Sequence, residues 1–534
     1  MKFTIIALGL WLASMWIVKT DIAFNNRFWG LGLYLGALIL VSIIYLCSKK
    51  IRLTISTTED KWLLVILGVS LLSRFIFLKN YPFASIGDEV RDGGLDAMRI
   101  VGGQIKNIFA YGSYSSHGLI IPTFSSFFYL IFKNSVFTYR VLAALLSWVN
   151  IWLLYLTVRY LISPKAGLWS AIILASLPLH LFFGRTEIVV IFSSFLTTLV
   201  LMFFLMAIKH NKTIDWIMLG TVLGFASGFH TSVRTVTVIT LGFAAIWMVI
   251  NSIKQKNYKF FGNLFLLLLF GLMGFGPRLW FTPPEIFFQK RSLKLEPNLN
   301  TIVLVGKNYE KSLLGWVSER VTFHYPDTKP ILPVGYAILF VLSLPMVFLG
   351  KNNNLRWVGF YGLILPFTNS AITEAINCDH RLASLLPIGS IMVATGVVII
   401  SDRLKNNWLR WIFSVIVVGY SIYLIVTFFS QEPANNNKTI TDYVSMNAIY
   451  LVNNTHKGSI CWLTSKEVAK NLDLMHYKEQ RRFFLPNLEI MIEGRENITD
   501  NQLYMVDDCR QTKLPDRVFI KPLKKITPSV MIYY

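Results

Sequence analysis

Four carboxylates stand within nine residues of one another in the stretch IGDEVRDGGLDAMRI, residues 86–100. Asp88, Asp92 and Asp96 recur at every fourth position, so on an α-helix they share one face, with Glu89 beside the first of them. Clustered carboxylates do one of three things: they take a proton as general bases, they hold a divalent cation, or they hydrate a loop. The residue types alone leave all three open. No His, Cys and Glu set has zinc-ligand spacing, and the four cysteines (Cys47, Cys378, Cys461, Cys509) form no CxxC pair. Phosphate-loop, dinucleotide and nucleophile-elbow motifs are absent from the sequence.

The elements that must position these carboxylates follow from composition. The chain has 534 residues, of which 54% are hydrophobic and only 15% charged, against about 25% charged in a soluble domain. Such a chain cannot cover a water-soluble globule, and it reads as an all-α polytopic membrane protein. Apolar runs near the required length of about 20 residues occur at 1–20, 28–48, 62–78, 138–162, 166–183, 186–209, 214–230, 233–252, 259–281, 331–350, 355–373, 382–402 and 408–430. They predict about thirteen transmembrane helices. The first run ends in bulky WLASMWIVKT without a small-residue cleavage site, which favours a retained anchor over a signal peptide.

The net charge of +22 follows the positive-inside rule and gives no reason to expect a nucleic-acid partner. With a cytoplasmic amino terminus, about sixteen Lys and Arg residues fall in inside loops and helix ends, from Lys49 to Arg410. The short outside turns hold Arg27, Arg185, Arg234 and Arg381. This is the asymmetry that sets orientation in an integral, multi-pass protein of the cell or inner membrane. Two long segments, 79–137 and 282–330, then face outward, as does the tail 431–534. The tail alternates β-rich pieces (GSICWLTS, RVFIKPL) with polar stretches and reads as a small extracytoplasmic α/β or α+β domain. Cys461 and Cys509 are either a disulfide or two free thiols. Residues 1–58 supply two additional helices before a core at 59–430. Within the first outer segment, 94–112 suits a helix along the interface, and LIIPTFSSFFYLIFK (119–133) is too short for a span and reads as juxtamembrane or re-entrant.

At the depth these spans imply, ionisable residues collect at the outer face, among them Arg140, His180, Arg185, His230, Arg234, Arg278, His324, Asp327, His380 and Arg381. The mid-membrane stretches are nearly free of charge, whereas an ion-coupled transporter places ionisable groups near the midplane. His180 and Arg185 read as helix-end packing.

An adjacent Asp-Glu pair in the first large outer loop, followed by interfacial helices, resembles the GT-C glycosyltransferases of the protein O-mannosyltransferase, aminoarabinose transferase and lipid A galacturonosyltransferase type. The same plan is seen in SVFTYRVLAALLSWVNIWLLYLTVRYL with Arg140, in LASLPLHLFFGRTEIVVIFSSFL with His180 and Arg185, and in CDHRLASLLPIGSIMVATGVV with Arg381. The resemblance covers about residues 60–430 and implies a GT-C-like fold. It also implies inverting transfer of one sugar from a polyprenyl-phosphate donor to a hydroxyl of an envelope lipid, polysaccharide or protein at the extracytoplasmic face. Asp88 would then be the base, with Glu89 orienting the acceptor or Asp88 itself and Asp92 part of the same substrate site. Arg381 beside His380 is the leading phosphate ligand, since its planar fork meets phosphate bidentately. Arg140 joins the substrate site, and Lys290 and Arg291 (FFQKR), with His324 and Asp327 (FHYPDTKP), would close over the donor. The residues point to no particular cofactor, and a divalent cation at Asp88, Glu89 and Asp92 is the alternative use of those carboxylates. The readings without chemistry are a transporter or flippase of lipid-linked sugars or solutes, and a scaffold presenting the tail.

Overall fold

The computed structural model describes residues 2–21, 23–49, 57–79, 81, 90–112, 118–133, 135–186, 188–256, 259–282, 299–321, 329–372, 376–430, 460–465, 490–495 and 504–506. All thirteen apolar runs are helical. Helices α1 (Lys2–Thr20) and α2 (Arg27–Lys49) form an antiparallel pair, joined where the Ser14 hydroxyl donates to the Gly30 carbonyl at 2.7 Å. Helix α3 (Thr58–Phe75) starts in a capping box: the Thr57 side chain accepts from the Asp60 amide, and the Asp60 carboxylate accepts from the Thr57 amide at 2.9 Å. A π-helical turn (Val90–Leu95), α4 (Asp96–Val101) and α5 (Ile120–Phe132) follow.

The main bundle comprises α6 (Val136–Leu161), α7 (Pro164–Ser176), α8 (Pro178–Phe183), α9 (Ile188–His210), α10 (Thr213–Ser227), α11 (Thr231–Gln255) and α12 (Lys259–Phe275). After a 3₁₀ turn (Gly276–Trp280) come α13 (Leu299–Leu314), α14 (Val334–Leu349), α15 (Asn353–Pro366), a π-helical turn (Phe367–Ala371), α16 (Asp379–Leu382), a 3₁₀ turn (Ala383–Leu385), α17 (Leu386–Arg403) and α18 (Asn407–Ser430). Among the described residues eight helices, within α1, α2, α6, α9, α11, α12 with its following 3₁₀ turn, α16–α17 and α18, are long and apolar enough to cross a membrane. Of the other five predicted runs, 62–78 falls in the 18-residue α3, which carries Glu59, Asp60, Lys61 and Arg74, and four are shorter than expected. The run 166–183 is divided at Pro178, which cannot donate to the preceding turn, and α10, α14 and α15 have 15, 16 and 14 residues.

Helices α10 and α12 meet backbone to backbone. A Cβ built on Gly220 would stand 2.2 Å from the Leu267 carbonyl oxygen, one on Gly224 1.8 Å from that of Gly271, and one on Gly274 2.1 Å from that of Thr221. Small residues on facing turns permit this approach, as in membrane helix pairs generally.

The two ends of the bundle differ in their charges. At one end Arg159 pairs with Asp60, Lys209 donates to the Tyr160 carbonyl at 3.2 Å, Asn354 donates to the Leu161 carbonyl at 2.7 Å, and Lys165 lies 3.8 Å from Asp402. This is the lysine-rich end read from the loops. The other end holds buried arginines.

Two expectations are corrected. Residues 90–95 are π-helical, with bonds reaching one residue further than in an α-helix, so the backbone that carries Asp92 into Asp96 is not the plain α-helix the carboxylate spacing assumed. The stretch 94–112 is not one helix: α4 stops at Gly102 and Gly103, the latter at φ 72°, and Ile100, Ile108 and Phe109 are buried in the core. Helix α5 is a single short helix with a buried start and an exposed apolar end at Phe127, Leu130 and Ile131.

In the tail, β1 (Ile460–Ser465), β2 (Ile490–Arg495) and β3 (Tyr504–Val506) form one sheet in the order β2-β1-β3. Strand β1 runs parallel to β2 with Ile460 opposite Ile490, and antiparallel to β3 with Cys461 opposite Val506. Cys461 lies on β1, and Cys509 falls outside the described residues.

Candidate active site

Six arginines, Arg74, Arg140, Arg185, Arg234, Arg278 and Arg381, are buried at the end opposite the lysines. Charges buried in this way require hydrogen-bond acceptors or anions. The structure supplies acceptors to four of them from backbone and neutral side chains. Arg74, at the end of α3, donates to Ser147 and Ser73 hydroxyls, to the Ala175 carbonyl and to Nδ1 of His180 at 3.1 Å. Arg185, in the turn between α8 and α9, donates to the carbonyls of Ser73, Ile76 and Tyr81 at 2.6, 2.7 and 2.9 Å. Burial, and then the charge of Arg140, push the Arg185 guanidinium down to about 9, while the neighbouring Tyr81 hydroxyl acts in the opposite direction. Arg140 donates to the Leu78 carbonyl at 3.0 Å.

Arg278 is held among the rings of Phe225, Phe229 and Phe275 and donates to the carbonyls of Phe275 and Phe225, each at 3.0 Å. Those carbonyls lie at the carboxyl ends of α12 and α10, where four go unpaired in any helix. The guanidinium fills the space beside Gly228, where a Cβ would lie 1.6 Å from Nη1.

Arg381 lies in the four-residue α16 with its side chain buried, and among the described residues its Nη1 has no hydrogen-bond partner, which is also true of Nη1 of Arg278. Around it the turn into α11, the π-helical turn and the entry to α17 meet. The His230 ring lies 5.6 Å from that of His380 in T-shaped contact. His230 caps α11, its Nδ1 accepting from the Ser232 amide at 3.3 Å. His380 Nδ1 lies 3.2 Å from Cys378 Sγ. Asn369 accepts from Thr235 and donates to Ser384 Oγ at 2.9 Å.

Contacts continue from this cluster to the acidic segment. Arg234, one turn into α11, lies over the Tyr111 ring at 5.7 Å, and Tyr111 pairs its hydroxyl with Thr282 at 3.2 Å. Beside Tyr111, a Cβ on Gly112 would stand 2.6 Å from Asp96 Oδ2. Asp96 is buried and lies 3.7 Å from Arg99. On the other side, Gly93 packs against Tyr139, the residue before Arg140, with room for no side chain: a Cβ would be 3.1 Å from the Tyr139 carbonyl oxygen. The backbone that carries Asp92 is thereby set against the start of α6.

Of the residues singled out in the sequence, Arg140, His380 and Arg381 are placed at this end, and Asp92 is placed by its backbone within the π-helical turn. Asp88, Glu89, Lys290, Arg291, His324 and Asp327 lie outside the described residues. Tyr111, Asn369, Ser384 and Arg74 had no motif to announce them; a charged Arg74 closing an apolar run was the nearest signal. Among the described residues no group of three or more His, Cys, Asp or Glu side chains could hold a metal ion.

Comparison with known proteins adds a family. A model of the dolichyl-phosphate-mannose-protein mannosyltransferases matches residues 116–281. No curated protein sequence matches the chain. Similar solved structures include ArnT from Cupriavidus metallidurans in the apo state, with 12% identity over 80% of this chain and 76% of that one at a TM-score of 0.45. The same enzyme bound to undecaprenyl phosphate aligns at 12% identity over 79% and 76%, with a TM-score of 0.48. The oligosaccharyltransferase of Archaeoglobus fulgidus, in complex with zinc and sulfate, aligns at 13% identity over 73% of this chain and 56% of that one, with a TM-score of 0.41. Across residues 116–281, from the start of α5 through α12, the chain is similar to the dolichyl-phosphate-mannose-protein mannosyltransferases, in line with the GT-C resemblance read from its residues.

Proposed function

We propose that the protein is an inverting membrane glycosyltransferase that moves one sugar from a polyprenyl-phosphate donor to an acceptor hydroxyl at the extracytoplasmic face. The observation that carries this reading is Arg381: a guanidinium buried at the bundle end reached by the acidic segment, whose Nη1 has no hydrogen-bond partner among the described residues. A buried donor left open is costly unless a ligand meets it, and a planar guanidinium suits a phosphate oxygen. The family match over 116–281 supports the same chemistry.

In this reading Asp88 takes the proton from the acceptor hydroxyl as its oxygen attacks the anomeric carbon. The bond to the phosphate oxygen breaks on the opposite face, and the anomeric centre inverts. Negative charge grows on the departing lipid phosphate, where fixed cations stabilise it; Arg381 is that cation, with His380 beside it. Glu89 orients the acceptor or Asp88, while Asp92 and Arg140 line the substrate site. Lys290, Arg291, His324 and Asp327 close over the donor. Envelope lipids, polysaccharides and proteins are the acceptor classes, and no metal is needed, the cation reading of the acidic segment being the competing use.

The test is expression of wild type and Asp88→Asn at matched membrane levels in a host lacking the protein, with mass spectrometry of envelope lipids and glycoproteins. A single-sugar increment in wild type that is lost in Asp88→Asn supports the reading. An increment that persists in the variant removes Asp88 as base, and no increment in either removes transfer in favour of transport.

A further inference from the structure

Arg185 has more acceptors than a helix-end arginine needs, and they lie on both sides of a strained residue. Its Nη1 reaches Ser73 O at 2.6 Å, inside the last turn of α3; Nη2 reaches Ile76 O at 2.7 Å, at the helix cap; and Nη2 and Nε both reach Tyr81 O, at 2.9 and 3.2 Å. Between these anchors Phe77 adopts φ 53° with its side chain two-thirds exposed. A bulky residue in the left-handed region is uncommon and persists only where its surroundings over-determine it. The exposed Phe77 ring supplies no such surroundings; Arg140 holds the Leu78 carbonyl on one side of it, and the Arg185 guanidinium spans the whole turn: it is buried, and among the described residues no carboxylate lies within ion-pair reach. The same side chain lies over the rings of Tyr81 and Phe429. The Tyr81 hydroxyl donates to the Phe428 carbonyl at the end of α18.

We infer that Arg185 is a positioning residue: it caps α3 from another element, holds the left-handed turn at Phe77, and fixes Tyr81 as the point from which the chain enters the acidic stretch. A lysine could not do this. One ammonium is a compact charge, whereas the guanidinium presents its donors in a rigid fork that spans carbonyls five and eight residues apart. Four of its five N–H donors are taken up by these backbone carbonyls, so its role is to hold the chain rather than to touch substrate. Its catalytic consequence rests on the transfer reading above; its structural consequence does not.

The experiment compares wild type, Arg185→Lys and Arg185→Lys combined with Phe77→Gly, each as the full chain in detergent or nanodiscs. Hydrogen exchange and sugar transfer are both read. Glycine adopts positive φ without penalty, so it relieves the constraint that Arg185 otherwise imposes. Expected for Arg185→Lys is exchange at least about tenfold faster at 76–81 with α9 and α17 unchanged, and kcat lowered by about 10²-fold, the scale of a small misplacement of a catalytic group, at constant donor KM. Adding Phe77→Gly recovers part of both. Unchanged exchange at 76–81, a uniform rise over all helices, or a change confined to KM overturns the inference. Should the lysine variant fail to accumulate, the double variant decides: a folded product supports the inference and a second failure overturns it. If wild type transfers no sugar, the transfer reading falls while the exchange result still judges Arg185.

Discussion

His180 Nδ1 accepts a hydrogen bond from Arg74 at 3.1 Å, and both side chains are fully buried. Guanidinium only donates, so Nδ1 carries no proton and Nε2 does. That N–H points at the Asn150 amide, 3.4 Å away, which also meets Ser194 at 3.0 Å and Thr198 at 2.7 Å. In the structure the amide nitrogen faces His180 and Ser194 and the oxygen accepts from Thr198; amide ends are assigned from the network, and the reversed orientation is the one that gives the His180 N–H an acceptor. Asn150→Leu strands the imidazole N–H, and we expect a loss of about 1–3 kcal/mol, measured as a lowered Tm of the purified protein. Asn150→Asp, which keeps an acceptor there, should lose less than the leucine variant if the oxygen faces His180.

At the lysine-rich end, Asp60 carries three duties: it closes the capping box of α3, accepts from Tyr155 at 2.6 Å and pairs with Arg159 through both oxygens at 2.9 Å. Asp60→Asn removes the charge that Arg159 answers. Breaking a buried pair costs about 3–5 kcal/mol, and Arg159 is partly exposed, so the low end is expected. Thermal unfolding should fall accordingly, with transfer per folded molecule unchanged.

Gly228→Ala tests the Arg278 cradle. The added methyl would occupy the guanidinium's place, forcing Arg278 away from the carbonyl ends of α10 and α12. Overpacking of this kind costs about 1–3 kcal/mol. Gly242, with nothing within 4 Å of its Cβ position, is the control: Gly242→Ala should leave Tm unchanged or raise it, because alanine favours the helix.

Arg381→Gln should weaken binding of the bare carrier phosphate. A charged hydrogen bond contributes about 1.5–3 kcal/mol, a loss of roughly 10- to 100-fold in affinity. Titration of purified protein with a short polyprenyl phosphate checks this, and equal affinity of variant and wild type would exclude Arg381 as the phosphate ligand. Arg381→Lys should recover part of the binding, since charge is restored without the fork.

The helical plan was legible because hydrophobic length is a local property: every predicted run became a helix. The junction of Cys378-Asp379-His380-Arg381 with the Leu-Pro helix was legible for the same reason, as a polar turn set between apolar runs. The shortening of α10 and α14 and the π-helical form of 90–95 were not, because they are settled by neighbours such as Tyr139 against Gly93. Nor could sequence reveal that Arg74, Arg185 and Arg278 turn inward to backbone carbonyls. An arginine at a helix end looks the same whether it snorkels to water or caps a distant helix; its acceptors come from segments up to about a hundred residues away in the chain, as Ala175 does for Arg74.

The close approach of α10 and α12 carries a mechanical consequence. Sliding one packed helix past another needs side chains that can exchange grooves, and here Gly220, Gly224 and Gly274 bring the two backbones together with no room for a Cβ. The two helices move as one strut. Arg278 ties their carboxyl ends together through the Phe225 and Phe275 carbonyls, so any opening of the bundle towards Arg381 is expected between other helices.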